Sequence, residues 1–214
     1  MKRIFSLLLP LALIICLFSC SASGVSRGSD GSAGGESGDV TIDWSTRCAG
    51  DAGKFAELYN VSQENPYIFA TFDELVTQFE LGSGVVAFGF PDCPRCQNVF
   101  PVLEKVFKET KMDKHAGYRG KILYYNIYDD REAGNERYQT LLGYLDGFLN
   151  HDDSGNPRIF VPDIYFLNSG KIVGNHMDTV PSLTDPRDPL SEEQTMELMG
   201  IYSSLILEIE DCDC

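Results

Sequence analysis

The sequence predicts an α/β domain in which helices flank a central mixed β-sheet. Short apolar runs rich in β-favouring residues alternate with amphipathic segments of helical periodicity. Cys93 and Cys96 directly follow one such run, at the carboxyl edge of a strand, where α/β proteins place their chemistry. A Ser-Gly-Lys turn between two later runs predicts an antiparallel hairpin, which makes the sheet mixed. From residue 67 onward the predicted order is β-α-β-α-β-α-β-β-α.

Strands and helices alternate through the first half of this domain. The predicted strands are Tyr67 to Ala70, Val85 to Phe90 and Lys121 to Tyr128. A capping box of Thr71 and Glu74 begins the first helix, and a Gly-Ser-Gly run ends it. Its predicted inward positions are Leu75, Val76, Phe79 and Leu81. The second helix extends from Pro94 to about Lys111, and Pro101 inside it predicts a kink.

The second half contains a further helix, a hairpin and a closing helix. Glu132 to Leu149 predicts one helix, and residues 150–158 predict a polar loop. Its predicted inward positions are Tyr138, Leu141, Leu142, Leu145 and Phe148. Ile164 to Leu167 and Ile172 to His176 are the predicted hairpin strands, and proline-rich Thr179 to Leu190 is a loop. A capping box at Ser191 begins the last helix. Its predicted inward positions are Leu198, Ile201, Tyr202, Leu205, Ile206 and Ile209.

The N-terminal segment has the composition of an export signal. Lys2 and Arg3 precede an apolar stretch that is too short for a membrane-spanning helix. We predict a lipoprotein-type signal peptide over residues 1–19, because Leu17-Phe18-Ser19-Cys20 resembles the bacterial lipobox and makes Cys20 the lipidated residue. Phe18 is bulkier than usual there, so ordinary signal-peptidase cleavage nearby, or a Cys20 that is merely part of the apolar stretch, are the alternatives.

Composition assigns the remaining segments. Residues 20–39 are mostly Ser, Gly and Ala, which predicts a flexible tether behind the lipidated cysteine. Residues 40–66 form an N-terminal extension and residues 67–214 the domain, a length that supports one hydrophobic core. The net charge of −15 argues against nucleic acid or anionic lipid headgroups as partners of the domain. We expect a monomer.

The spacing of the two central cysteines predicts dithiol–disulfide exchange. If Asp92 or Cys93 caps a helix that starts at Pro94, Cys93 lies at the positive end of the helix dipole, which stabilises a thiolate. Cys96 is one turn further along the same face and can close a disulfide with Cys93. We expect Arg95 to be solvated and to favour the Cys93 thiolate slightly, whereas Asp92 opposes it.

Four features together resemble the thioredoxin superfamily over about residues 67–210. They are the Cys93-Pro94-Arg95-Cys96 dithiol that opens a helix, the helix proline Pro101, Val161-Pro162 before a strand, and the Gly-Lys hairpin turn with its closing helix. The fold class that the resemblance implies is α/β and thioredoxin-like, with an N-terminal extension and a helical insertion before the cis-proline. The anchored arrangement resembles extracytoplasmic thioredoxin-like lipoproteins, including those grouped as bacteriocin transport accessory proteins.

The resemblance implies an enzyme, a thiol–disulfide oxidoreductase without a cofactor. Cys93 would attack a protein disulfide and Cys96 would resolve the mixed disulfide, beside a cis Pro162. Val161, through its backbone, and the exposed Pro94 and Arg95 would contact the substrate. The implied partners are protein thiols or disulfides and a membrane redox partner. The implied location is extracytoplasmic, lipid-anchored to the bacterial cell membrane.

The sequence departs from the family pattern at three places. Ala87 replaces the buried acid that precedes the dithiol, and Phe90-Pro91-Asp92 lacks the usual tryptophan. Glu132 to Arg158 has the length of an insertion. Because the missing acid removes a proton relay for the resolving cysteine, the sequence leaves the direction of electron flow open.

The sequence is also compatible with other roles for the cysteines. Cys93 and Cys96 can form a structural disulfide, and Cys48 can bridge to Cys212 or Cys214, or that tail pair can pass electrons to the dithiol. The rival class is a non-catalytic interaction module or copper carrier on the same fold. Its possible metal ligands beside the dithiol are Asp163, His176 and Asp178. A zinc site shared by the dithiol and the tail is disfavoured by the C-x-C spacing of the tail, and we predict no metal.

Overall fold

The computed structural model describes residues 44–210 of the chain. The predicted signal peptide, the lipidation site Cys20 and the tether lie outside the described residues, as do Cys212 and Cys214. Within the described part, no helix is both long and apolar enough to cross a membrane.

Helices and strands alternate along the described chain. The helices are α1 Trp44–Leu58, α2 Phe72–Leu81, α3 Pro94–Glu109, α4 Tyr128–Ala133, α5 Glu136–Tyr144 and α6 Glu192–Glu210. The strands are β1 Tyr67–Phe69, β2 Gly84–Gly89, β3 Ile122–Asn126, β4 Asn150–His151, β5 Pro157–Arg158, β6 Asp163–Asn168 and β7 Lys171–Met177. Two short 3₁₀ turns, Met112–Lys114 and Gly117–Gly120, connect α3 to β3.

The protein is an α/β protein whose mixed five-stranded sheet is flanked by helices, as predicted at that level. The strand order is β1-β3-β2-β6-β7. The first three strands are parallel, and β6 and β7 are antiparallel to their neighbours. One face packs on residues of α1, α3 and α6, and the other on residues of α2 and α5. The sheet is therefore buried on both sides, which explains its nearly continuous apolar strands.

One row of paired residues crosses the sheet beneath the dithiol. Ala87 on β2 pairs with Tyr124 on β3 and with Ile164 on β6, and Ile164 pairs in turn with His176 on β7. Paired residues in adjacent strands point to the same face, so these side chains share one side of the sheet. Asp163 and Tyr165 flank Ile164 along the strand and therefore point to the opposite side.

Helix α1 is absent from the predicted order of elements. It forms most of the segment that the sequence suggested was an extension, and its Phe55 and the adjoining Tyr59 are buried. The Phe55 ring stacks on Tyr67 of β1 with 3.9 Å between ring centroids. Its apolar stripe is narrow and interrupted by glycines, which conceals the helix in the sequence. The extension is therefore part of the same core.

The single helix predicted over Glu132 to Leu149 is wrong. Gly134 adopts a left-handed conformation at φ 57° and ends α4, and Asn135 caps a separate helix, α5. Tyr128 begins α4 and does not extend the preceding strand. The predicted loop at 150–158 contains the small hairpin of β4 and β5. Helix propensity continued across residue 134 in the sequence, but the glycine turns the chain.

Two predicted inward positions are exposed. Leu81 is 76% exposed and Phe148 is 37% exposed. Leu81 is exposed because it is the last residue of α2, after which Gly82 turns the backbone to an extended conformation. The buried residue next to Phe79 on this helix is Gln78. Phe148 lies beyond the end of α5, so the helical period no longer determines which way it points.

Candidate functional site

The dithiol lies where strand β2 passes into helix α3. Cys93 is the N-cap of α3, and Pro94 occupies the first helical position. The Cys93 Sγ accepts a hydrogen bond from the backbone N–H of Cys96 at 3.1 Å. Cys93 is 5% exposed and Cys96 is completely buried. Of the two possible caps, the structure selects Cys93 over Asp92, because the sulfur itself fills the position that a serine oxygen usually takes.

The pKa values of the two thiols are shifted in opposite directions. The pKa of Cys93 is lowered, first by a hydrogen bond with the Cys96 thiol and then, against its burial, by the N–H groups of Cys96 and Arg95 and the charge of Arg95. The pKa of Cys96 is raised far above its usual value by burial and then by its hydrogen bond to Cys93 and the charge there. Cys93 is thus the more acidic thiol and Cys96 the less acidic one, which is the division of roles that disulfide exchange requires.

Glycine 89 allows the buried thiol to lie directly on the sheet. A Cβ atom at this position would lie 2.7 Å from the Phe100 ring and 3.3 Å from the Cys96 Sγ. No larger residue fits under the first turns of α3 without moving the Phe100 ring. The closeness of α3 to β2 at this point explains why Cys96 has no exposed surface.

The Val161–Pro162 peptide lies beside the first cysteine. This peptide bond is cis, as the resemblance implied. The Cys93 Sγ lies 3.6 Å from the Val161 carbonyl oxygen, within hydrogen-bond range of a thiol. Val161 is half-buried and Pro162 is buried. The structure therefore brings together four of the predicted site residues, namely Cys93, Cys96, Val161 and Pro162.

Arg95 is exposed to solvent as expected, and its guanidinium is also held in an ion pair. Its Nε lies 2.6 Å from the Asp178 Oδ1, and the two side chains are 45% and 43% exposed. Asp178 follows β7 in a left-handed conformation at φ 73°, which turns the chain toward the start of α3. The sequence does not reveal this pair, because its partners are far apart in the chain. A half-exposed pair of this kind contributes little to stability but fixes where the guanidinium points.

Two clefts flank the exposed Pro94–Arg95 tip of the site. One, of about 390 Å³, is lined by residues of the α3 start and of the following loop, including Asp92, Cys93, Pro94, Asn98, Arg187 and Pro189. The other, of about 310 Å³, is lined by residues including Arg95, His176, Asp178, Thr179, Pro181 and Leu183. Cys93 therefore lines an open groove rather than an enclosed pocket.

The wall of the first cleft is the proline-rich segment between β7 and α6. The Asn98 amide donates hydrogen bonds to the carbonyl oxygens of Pro186, at 3.3 Å, and Asp188, at 2.9 Å. These bonds hold the segment, and Arg187 with it, against the start of α3. Nothing in the sequence marks Asn98, since it is a single polar residue in an amphipathic helix.

The candidate metal ligands are not assembled around the dithiol. Across residues 44–210, no group of three His, Cys, Asp or Glu side chains is placed to hold a metal ion. Asp163 points to the opposite face, where it accepts hydrogen bonds from Tyr165 at 2.7 Å and Asn175 at 3.3 Å. His176 bonds Tyr202 instead. Cys48 is partly buried against the core, and its suggested partners in the tail lie outside the described residues.

No protein-family model, no curated protein and no solved structure matches this chain.

Proposed function

We propose that the protein is a thioredoxin-like thiol–disulfide oxidoreductase that acts on protein disulfides through Cys93 and Cys96. The observation that carries the proposal is the pairing of a helix-capping thiol, whose sulfur accepts the Cys96 N–H, with a second thiol buried one turn away. The sheet order and the Val161–Pro162 peptide beside Cys93 support the thioredoxin-like assignment.

In the reductive direction the Cys93 thiolate attacks one sulfur of the substrate disulfide. The substrate's other sulfur leaves as a thiolate and takes up a proton, and a mixed disulfide joins Cys93 to the substrate. Cys96 then loses its proton and attacks the Cys93 sulfur, which releases the second substrate thiol and leaves a Cys93–Cys96 disulfide. The same steps in reverse oxidise a substrate dithiol. A membrane-bound dithiol or disulfide partner restores the starting state.

The groove around the site supports a protein substrate. We expect the Val161 backbone, next to the Cys93 sulfur, to pair with an extended chain that lies across the site. Pro94 and Arg95 are exposed at the tip between the two clefts and form the nearest side-chain contacts for such a chain. Because Arg95 is tied to Asp178, it is a directed donor for a substrate carbonyl.

The proposed location follows from the N-terminal sequence. A signal peptide over residues 1–19 and a lipidated Cys20 would place the domain outside the cytoplasm, on a tether over residues 20–39. A diacylated cysteine is a two-chain anchor, sufficient for stable attachment to the bacterial membrane. Near that surface the domain would meet its membrane redox partner.

The test compares three single variants of the full chain in detergent, namely Cys93→Ser, Cys96→Ser and the control Cys48→Ser. We expect Cys93→Ser to abolish reduction of a model protein disulfide, because the attacking thiolate is gone. Cys96→Ser should accumulate a mixed disulfide that is visible on non-reducing gels, because nothing resolves it. Cys48→Ser should retain the activity of the parent chain.

Unchanged exchange activity in Cys93→Ser would refute the assignment. Stoichiometric Cu(I) binding by the parent chain without any disulfide exchange would identify the carrier alternative instead.

A further inference from the structure

An aromatic side chain is exposed beside the segment that carries the dithiol. Tyr128 is 48% exposed, and it is the first residue of α4, just beyond the end of β3. The Ile127 N–H donates a hydrogen bond to the Gly89 carbonyl at 3.3 Å. This bond ties the start of α4 to the last residue of β2, from which the chain passes directly into the turn before the dithiol.

Phe90 connects Tyr128 to the attacking cysteine by direct contacts. The Phe90 and Tyr128 rings meet edge to face with 5.3 Å between their centroids. The Phe90 carbonyl accepts a hydrogen bond from the Cys93 N–H at 3.1 Å. Phe90 itself is half-buried against the core that contains the dithiol. Two contacts therefore lead from the exposed Tyr128 ring to Cys93.

Arg131 holds the Tyr128 ring in place. Its guanidinium carbon lies 5.3 Å from the Phe90 ring centroid and 6.0 Å from the Tyr128 ring centroid. The Arg131 side chain is only 9% exposed, and its Nε lies 3.2 Å from the Glu132 Oε1. A side chain that is already immobilised loses little conformational entropy when a ligand covers it. Tyr128 is therefore an exposed ring that is prepared for contact.

The same contacts continue from α4 to Val161. The Glu132 Oε1 also accepts a hydrogen bond from Arg158 at 3.5 Å, and the Arg158 guanidinium carbon lies 5.9 Å from the Phe160 ring centroid. Phe160 is half-buried and directly precedes Val161, whose carbonyl oxygen lies 3.6 Å from the Cys93 Sγ. The chain of contacts that leaves Cys93 through its N–H therefore returns to it at its sulfur.

Three rings linked by these contacts form what we call the aromatic surface, namely Phe90, Tyr128 and Phe160. None of them lines either of the two clefts beside the Pro94–Arg95 tip, so this surface is a separate part of the site. Aromatic rings contact apolar and aromatic side chains most favourably. The tether over residues 20–39 and the C-terminal residues 211–214 contain no aromatic residue and therefore match the surface poorly. A substrate that reacts at Cys93 is the occupant that its position favours.

Building on the proposed function, we propose that the aromatic surface binds a large apolar or aromatic side chain next to the reacting cysteine of the protein substrate, and that Tyr128 determines this specificity. The substrate side chain covers the exposed part of the Tyr128 ring while the substrate sulfur meets the Cys93 sulfur. Burial of apolar area lowers the free energy of the complex in which attack occurs. The rate constant for attack at low substrate concentration therefore rises for cysteines with such a neighbour.

Peptides whose single cysteine forms a disulfide with thionitrobenzoate test this proposal. Three peptides are compared, with alanine on both sides of the cysteine, phenylalanine before it, or phenylalanine after it. The Cys93 thiolate attacks the peptide sulfur, and thionitrobenzoate leaves as a coloured thiolate, so that one disulfide breaks and one forms. The parent protein is the full chain in detergent, with serine at every cysteine except Cys93. Those positions are Cys16, Cys20, Cys48, Cys96, Cys212 and Cys214.

The measured quantity is the ratio of the second-order rate constants for the better phenylalanine peptide and for the alanine peptide. Any effect of a substitution on the reactivity of Cys93 itself cancels in this ratio. We expect a ratio of about five in the parent and about one in Tyr128→Ala. Tyr128→Phe keeps the ring and should keep the ratio.

The matched control is Tyr144→Ala, which removes a partly exposed tyrosine elsewhere on the protein. The Tyr144 ring stacks on Phe79 with 5.6 Å between centroids, and its hydroxyl bonds Glu80 at 2.7 Å. We expect this variant to keep the ratio of the parent.

The outcomes separate this proposal from the proposed function. If the parent releases thionitrobenzoate from the peptides no faster than a Cys93→Ser variant, both proposals fail. If the parent reacts but its ratio is near one, or Tyr128→Ala keeps the parent's ratio, the specificity proposal alone is wrong. A parent that is a dimer in sedimentation, is dissociated by Tyr128→Ala and has a ratio near one would show that the surface binds a second copy instead. Because Tyr128 is 48% exposed, we expect its variants to fold, and circular dichroism checks this.

Discussion

The two cysteines of the site differ in acidity because their side chains have different surroundings. Cys93 and Cys96 are one helical turn apart, yet one lies against main-chain donors at the surface and the other under α3 on Gly89. The resulting difference in acidity arises from burial and hydrogen bonding, and the charge of Arg95 contributes less. The chemistry of this protein therefore depends on how closely α3 packs on β2.

The ionisation of Asp163 makes the free energy of unfolding depend on pH. Burial raises its pKa from 3.8 to about 7, against the hydrogen bonds from Tyr165 and Asn175. Between these two values the folded state binds more protons than the unfolded state, so stability falls as pH rises. We expect Asp163→Asn to remove this dependence and to exceed the parent in stability above pH 7, by up to about 4 kcal/mol.

The measurement is urea unfolding of the full chain at a series of pH values, followed by circular dichroism. The exposed Asp153→Asn serves as the matched control and should follow the parent curve. A parallel fall of stability with pH in Asp163→Asn and parent would show that Asp163 is not the group responsible.

At the scale of elements, α1 closes the side of the core nearest the dithiol. The Gln97 amide donates to the Leu58 carbonyl at 3.0 Å and to the Pro91 carbonyl at 2.9 Å, which ties the end of α1 to the start of α3. Tyr59, just beyond α1, packs edge to face on Phe100 with 4.7 Å between ring centroids. Helix α1 therefore supports the element that presents both cysteines.

Phe55 is the centre of this contact, so its truncation is expected to destabilise the protein strongly. The side chain is completely buried among four other aromatic rings of the core. We expect Phe55→Ala to lower the free energy of unfolding by about 3–5 kcal/mol, because a large cavity remains. Leu81→Ala, at a position that is 76% exposed, should change it by less than about 0.5 kcal/mol. Urea unfolding compares the two, and similar small losses would mean that α1 is not part of the core.

The other end of α1 is attached to α2 through a carboxylate. Glu74 pairs with Arg47 of α1 and accepts hydrogen bonds from Thr71 and Tyr118. Although burial opposes its charge, these bonds, with that from Arg47 the strongest, lower its pKa from 4.5 to about 2. The stabilisation from Glu74 is therefore present above about pH 4.5 and lost as pH falls toward 2.

We expect Glu74→Gln to be less stable than the parent at neutral pH and the difference to shrink through this acid range. Urea unfolding at successive pH values measures it, with the exposed Asp73→Asn as the control on the same helix turn. A difference that stays constant down to pH 2 would mean that the charge of Glu74 does not contribute.

For the molecule as a whole, two apolar cores lie on opposite faces of one sheet. They separate the dithiol from the buried carboxylates of Asp130 and Asp163. The dithiol, Tyr202 and the buried Tyr59–Tyr124 bond lie in the first core, whereas Asp163 and Asp130 bond tyrosines on the second face. Basic and acidic residues balance within positions 1–40, so the net charge of −15 belongs to the rest of the chain, and a basic binding surface for nucleic acid is not expected.

The sequence predicted those parts of the fold that depend on local patterns. The capping box at Thr71, the five strands of the main sheet and the dithiol at the start of α3 all follow from periodicity or from cap and turn residues. The break at Gly134 was missed because helix-favouring residues lie on both sides of it. Helix α1 was missed because its stability comes from aromatic packing against β1 and α3, which periodicity does not reveal.

The sequence by itself determined the five strands of the main sheet, the two cysteines and the short motif before β6. Those features rest on interactions between residues near one another in the chain. Only the tertiary structure decided that Arg95 meets Asp178, that Asn98 holds the proline-rich wall, and that Tyr202 reaches His176. Each of these pairs joins distant segments, and their geometry depends on how helices and strands pack after the local structure has formed.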